Sequence, residues 1–160
     1  MAWETLGEDT ATSAVNELSV VPDDPKVFNQ ILSHIFDTGG TIRNVYRPDN
    51  DTGSNYAKRE SANGAADTTS TSDTGMIVGA SATAEMRFNV GFLISVTAEE
   101  KMMMLFETSE NTAGAANAPD RVEHYSKWAN TVDESADIRM SEDGTGQYNT
   151  DSNLGVLGDS

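Results

Sequence analysis

Cysteine is absent from this 160-residue chain. That excludes disulfide staples, thiol nucleophiles and cysteine-ligated zinc. Basic residues are scarce: ten Lys and Arg stand against 26 Asp and Glu, a formal net charge of −16. The lysines occur singly, at Lys26, Lys58, Lys101 and Lys127. An acidic shell with scattered cations repels phosphate backbones, so no nucleic-acid partner is expected. There is no run of about 18 apolar residues, so no membrane-spanning helix is expected. The stretch Met1–Asp9 lacks a basic region followed by an apolar one, so it does not read as a secretory signal. Synthesis and folding are expected in the cytoplasm.

Hydrophobic residues make up 37% of the chain, and its 13 glycines bring the apolar count to about 45%, the low edge of the globular range. One domain with a modest core and a large polar surface is expected, burying about 70% of its unfolded surface. Two explanations of the acidity stand side by side: an ordinary acidic soluble protein, or adaptation to a high-salt cytoplasm. At about 1 M salt the Debye length falls to about 3 Å, and the self-repulsion of such a surface largely vanishes. Few lysines alongside many Thr and Ala favour the saline reading.

The chain reads as strands separated by turn-forming residues. Residues 1–25 are expected as an arm, with a short strand near Val15–Val21 and a Pro22–Pro25 turn. Trp3 and Leu6 then either fold back on the domain or dock on a neighbouring subunit. Lys26–Phe36 fits helical spacing and also a strand buried on both sides; its β-branched and aromatic content favours the strand. A turn at Asp37–Gly40 and alternation through Thr41–Arg47 suggest a hairpin. The polar segment from Pro48 to Thr74 is too long for a structureless loop and is expected to hold a strand near Tyr56–Glu60. Further strands are expected at Gly75–Gly79, Met86–Val96, Lys101–Glu107, Arg121–Trp128, Ser135–Met140 and Asn153–Leu157, with a small-residue loop at Asn111–Pro119 and a turn at Gly144–Gly146. About eight or nine strands and at most one short helix argue for an all-β sandwich at residues 26–160.

Three stretches, Ala115–His124, Lys127–Thr131 and Ser152–Gly158, have the character of strands and a closing edge strand joined by polar turns. Asp51–Arg59, Asn63–Ser72 and Ile94–Lys101 have the same look. Over residues 26–158 the chain resembles small jelly-roll-type virion structural proteins of tailed phages and related archaeal viruses. The resemblance implies a jelly-roll form of the sandwich, of about eight strands, and a place in a virus particle.

Motifs for chemistry are few. No Gly-x-Ser-x-Gly elbow, phosphate-cradling loop or His-Glu-x-x-His helix occurs. His34 and His124 are far apart in sequence and read as ordinary strand histidines. Asp49, Asp51, Asn55 and Glu60 fit the first, third, seventh and twelfth places of a calcium loop, but Gly53 and Ser54 occupy its fifth and sixth. A solvated acidic turn is the ordinary explanation. Met102–Met104 reads as a strand buried on both faces, against an adaptable binding surface. Tyr125 and Trp128 suit either a sugar-stacking site or, since Trp128 shares a face with Val122, a core or inter-subunit position. Carboxylate pairs as in glycosidases arise by chance in so acidic a chain.

The expectation is a non-enzymatic capsid decoration or turret component, without cofactor or metal. It forms a trimer or small ring and contacts the major capsid protein or another virion protein, with no membrane partner. The alternatives are a tail fibre or baseplate component that binds host glycans, and a carbohydrate-active enzyme.

Overall fold

A computed structural model describes residues 2–37, 39–83, 86–110, 114–132 and 135–159. They contain twelve strands and no helix: β1 (Trp3–Thr10), β2 (Glu17–Val20), β3 (Phe28–Ile35), β4 (Thr41–Pro48), β5 (Tyr56–Ala62), β6 (Thr68–Asp73), β7 (Met76–Thr83), β8 (Arg87–Ile94), β9 (Lys101–Ser109), β10 (Asp120–Trp128), β11 (Ile138–Glu142) and β12 (Asn153–Asp159). They form an eight-stranded sheet, in the order β1-β12-β3-β8-β9-β10-β5-β6, and a four-stranded sheet, β2-β11-β4-β7. Every ladder is antiparallel.

Between the sheets lies one apolar core. The large sheet supplies Ile31, Ile35, Leu93, Leu105, Trp128 and Val156, and the small sheet supplies Leu18, Val20, Ile42, Met76, Ile138 and Met140. Polar side chains bond within and across the same interior. The hydroxyls of Ser33 and Tyr46 lie 2.9 Å apart, and Asn89 Nδ2 donates to Ser33 Oγ at 3.0 Å. Asn44 Nδ2 donates to Glu107 Oε2 at 3.3 Å, and Asn44 Oδ1 accepts from the Tyr148 hydroxyl at 3.3 Å. Hydrogen bonds in a low-dielectric interior specify one alignment of the layers, because misalignment would leave buried polar groups without partners.

The all-β sandwich stands, with four differences in detail. Strands among the described residues number twelve against the eight or nine expected, and β1 and β6 are the two at positions where none was placed. The first 25 residues do not form a separate arm. β1 lies along β12 from Trp3↔Asp159 to Thr10↔Asn153, and β2 pairs with β11. Leu6 packs against the core, Lys26 Nζ reaches Glu4 Oε1 at 2.9 Å, and Asp9 Oδ2 accepts the Ser19 N–H at 2.9 Å. Leu6 thus folds back on the domain, while Trp3 lies against Phe28 and stays 41% exposed. Next, β3 and β4 are not a hairpin: β3 sits between β12 and β8, and β4 between β11 and β7. The chain changes sheet here, where a Cβ on Gly40 would stand 2.4 Å from the Gly146 Cα, so that two loops cross at backbone distance. Thr38 of the expected turn, and residues 111–113 of the expected loop, lie outside the described residues. The β8–β9 hairpin is as expected, closed through Thr97–Glu100. The fourth difference concerns the Met102–Met104 run and is best seen from the outer face.

Candidate functional site: the outer face of the large sheet

Alternation along a strand sends successive side chains to opposite faces. In β8 it runs the opposite way from an ordinary sandwich strand. Arg87, Asn89, Gly91 and Leu93 point inward and are buried, while Phe88, Val90, Phe92 and Ile94 point outward. In β9 the inward positions include Lys101, Glu107 and Ser109, and the outward ones are Met102, Met104, Phe106 and Thr108. The outward positions of both strands therefore carry no ionisable group, in a chain of net charge −16.

Register aligns these residues into rows across the sheet. One row joins Phe28, Ile94 and Met102, and the next joins Phe92, Met104 and Tyr125. Leu32, Val90 and Phe106 follow, then His34, Phe88 and Thr108. The Phe28 and Phe92 rings stack with centroids 5.7 Å apart, and Trp3 of β1 adds a tilted contact to Phe28 at 5.4 Å. Met102 is 56% exposed and Tyr125 45%. So Met102 and Met104 are not buried on both faces; only Met103 is interior. Clefts on this surface include two beside the apolar rows. One of about 500 Å³ lies between Phe28, Phe92, Met104 and Tyr125. The other, of about 670 Å³, lies at the far end among His34, Phe36, Phe88, Glu110 and Asn117.

At the rim, charges come in opposite pairs: Lys127 with Glu100 at 2.8 Å, Arg121 with Glu123 at 3.7 Å, and Lys26 with Glu4 and Asp24. The outer face of the small sheet is of the usual polar kind. Arg139 is held by Glu17 and Asp137, Arg43 meets Asp143, and Arg47 Nε donates to the Thr74 carbonyl at 2.9 Å.

The histidines do not come together. His34 is on the outer face of β3, where its Nε2 contacts the Asp151 carbonyl at 2.7 Å. His124 is fully buried on the inner face of β10, with β8 and β9 between their strands. Its Nδ1 lies 3.6 Å from Glu60 Oε2, and Lys58 Nζ contacts the same carboxylate oxygen at 2.9 Å. Burial, reinforced by the Lys58 charge and opposed by Glu60, lowers the His124 pKa and keeps the ring neutral. Glu60 is held below the ordinary carboxylate range by His124 beside it and by Lys58.

The acidic turn is internally committed. Asp51 Oδ1 accepts the Gly53 N–H at 2.7 Å, and its Oδ2 accepts from Asn55 Nδ2 at 2.9 Å and Trp128 Nε1 at 2.7 Å. Burial pushes the Asp51 carboxyl up, but these three bonds outweigh it and the net shift is downward. Asp49 Oδ1 accepts the N–H groups of Ala136 and Asp137. With Glu60 turned to Lys58 and His124, the oxygens of a calcium loop do not converge. Among the described residues, no three of His, Asp and Glu form a group suited to a metal ion.

Tyr125 and Trp128 lie on opposite faces of β10. Trp128 is core, stacked on Tyr56 at 6.1 Å, so the two do not form one sugar-stacking site. The sequence offers Met102–Met104 as an adaptable binding surface but does not show that the apolar alternation of β8 faces outward with it. The signal is the pattern of β8, in which the apolar alternation competes with Arg87 and Asn89 for the interior and is left outside. No protein-family model and no curated protein matches the chain.

Proposed function

We propose that this chain is a non-enzymatic structural protein of a tailed-virus particle, attached to the outer capsid surface as a decoration or turret component. Its sandwich is read as a jelly roll. The ladders β1·β12, β2·β11, β3·β8 and β4·β7 are those of one long antiparallel ribbon, rolled so that successive pairs alternate between sheets. Without β5, β6, β9 and β10 the sheets are β1-β12-β3-β8 and β2-β11-β4-β7, four strands each, the eight of a jelly roll. The β5–β6 and β9–β10 segments are then insertions that widen one sheet. Placement in a particle rests on the resemblance described above, and jelly rolls are frequent in viral capsid proteins.

The observation that carries an assembly role is the uncharged apolar outer face of β8 and β9. Exposed contiguous apolar surface on a soluble chain marks an interaction site. Partners are further copies and the major capsid protein or another virion protein. An acidic exterior suits the outside of a shell rather than its DNA-facing side. Mass spectrometry of purified particles, with copy number, tests this. Hundreds of copies support a place on the head, a handful moves the protein to the tail, and absence from particles overturns the reading.

One observation favours the glycan-binding alternative: the 670 Å³ cleft combines the exposed rings of Phe36 and Phe88 with Glu110 and Asn117. Glycan-array binding that is lost in Phe88→Ala would establish it. The enzyme alternative needs two facing carboxylates, and among the described residues lining this cleft Glu110 is the one acid.

A further inference from the structure

We propose that the outer face of the large sheet pairs with the same face of a second copy, about a two-fold axis through the β8–β9 strip. This gives a specific form to the self-association in the assembly role and rests on that reading only for its biological setting.

Three observations select a second copy as the occupant. The first is charge. Two chains of net charge −16 repel wherever carboxylates meet, and β8 and β9 offer a broad strip on which two copies can touch without burying any. The second is the rim. Lys127–Glu100 and Arg121–Glu123 present both signs in matched pairs. Such a rim complements a rotated copy of itself, whereas a cationic partner would be drawn to unpaired carboxylates. The third is shape. A two-fold contact requires one patch to hold both recess and projection, because residue i meets j and j meets i. The 500 Å³ cleft between Phe28, Phe92 and Tyr125 is the recess, and Met102 and Tyr125 at its border are the projections.

Size and geometry agree. The uncharged strip of β8 and β9, at about 4.8 Å spacing and about 3.3 Å rise per residue, is roughly 10 Å by 26 Å. Phe28 and Leu32 of β3, Tyr125 of β10 and Trp3 widen it toward the largest apolar patches on single chains, about 300–600 Å², and Arg121, Glu123 and Lys127 of β10 form its charged rim. Face-to-face stacking of twisted sheets at about 10 Å is also how this chain builds its own core.

The test is sedimentation equilibrium of the full chain in low and molar salt. A dimer is expected, tighter in high salt as self-repulsion is screened. Met102→Glu and Tyr125→Glu each place two carboxylates in the contact and should weaken association by about a hundredfold or more, with unchanged circular dichroism and a melting temperature lowered only by the lost association. Val132→Glu, exposed in the segment after β10 and outside every strand, should leave the dimer intact. A monomer under both salt conditions, or a dimer indifferent to Met102→Glu, overturns the proposal. A monomer still present in purified particles would sink the pairing and leave the structural role standing; a dimer absent from particles would do the reverse.

Discussion

Trp128 and Asp51, 77 residues apart, are joined by a 2.7 Å hydrogen bond from the indole N–H to the carboxylate. The bond fastens the β4–β5 loop to the end of β10, while Tyr56 stacks on the same indole and its hydroxyl donates to the Asp51 carbonyl at 2.9 Å. Asp51→Ala should cost about 2 kcal/mol, because it strips a charged acceptor from three donors. Trp128→Phe keeps a ring against Tyr56 but loses the donor. Urea denaturation of both single variants and the double variant should give a coupling of about 1 kcal/mol. Additive losses would mean the bond contributes little.

A second prediction concerns acid. His124 is buried and neutral, facing Glu60 and Lys58 on β5 with Asp73 on β6 nearby, and its pKa lies below the ordinary 6.5. The unfolded chain therefore binds the proton more readily. This contribution to stability is fully present above 6.5 and is lost as pH falls through the lower folded value. Glu60, also lowered, adds a loss of the same sign at more acidic pH, below 4.5. Denaturation at about pH 7.5 and about pH 5.5 should show the wild type weaker in acid, and His124→Gln should flatten that difference. An equal slope in the variant would exclude His124 as its source.

Lys101 is a cation used as an internal strut. Its buried ammonium donates to the carbonyls of Val96 and Glu99, at 2.8 Å each, and so closes the β8–β9 turn. Lys101→Met should cost about 2–3 kcal/mol in urea denaturation, since charged donors are lost and two carbonyls are left without them. Lys127→Met removes only the solvent-exposed pair with Glu100 and should stay within about 0.5 kcal/mol.

Salt separates the two explanations of the acidity. Most cations are already tied to carboxylates, so the excess negative charge acts as net self-repulsion. Under the saline reading, the melting temperature rises steeply between about 0.1 M and about 1 M salt and the chain unfolds as salt is removed. A melting temperature indifferent to salt would favour the ordinary acidic protein.

Much of the strand pattern is legible in the sequence because apolar runs bounded by turn residues mark it, as in β8–β9 and β12. β6 is not: Thr-Thr-Ser-Thr-Ser-Asp has no apolar alternation, and what orders it is the ladder to β5. β1 reads as an arm because its partner, β12, lies at the other end of the chain. The change of sheet between β3 and β4 is invisible locally, since a hairpin and a crossover use the same turn residues. The candidate face escaped for a subtler reason. An apolar residue in a strand reads as core, and only the cross-strand bond of Asn89 to Ser33 and the bond of Glu107 to Asn44 on the facing sheet reveal that the polar alternation of β8 and β9 points inward.

That polar interior has a mechanical consequence. Close-packed apolar layers resist sliding through interdigitation alone. Here Ser33–Tyr46 and Asn44–Glu107 link facing layers at fixed points, so sliding must rupture both bonds before any replacement forms. The sandwich therefore resists shear along its strands.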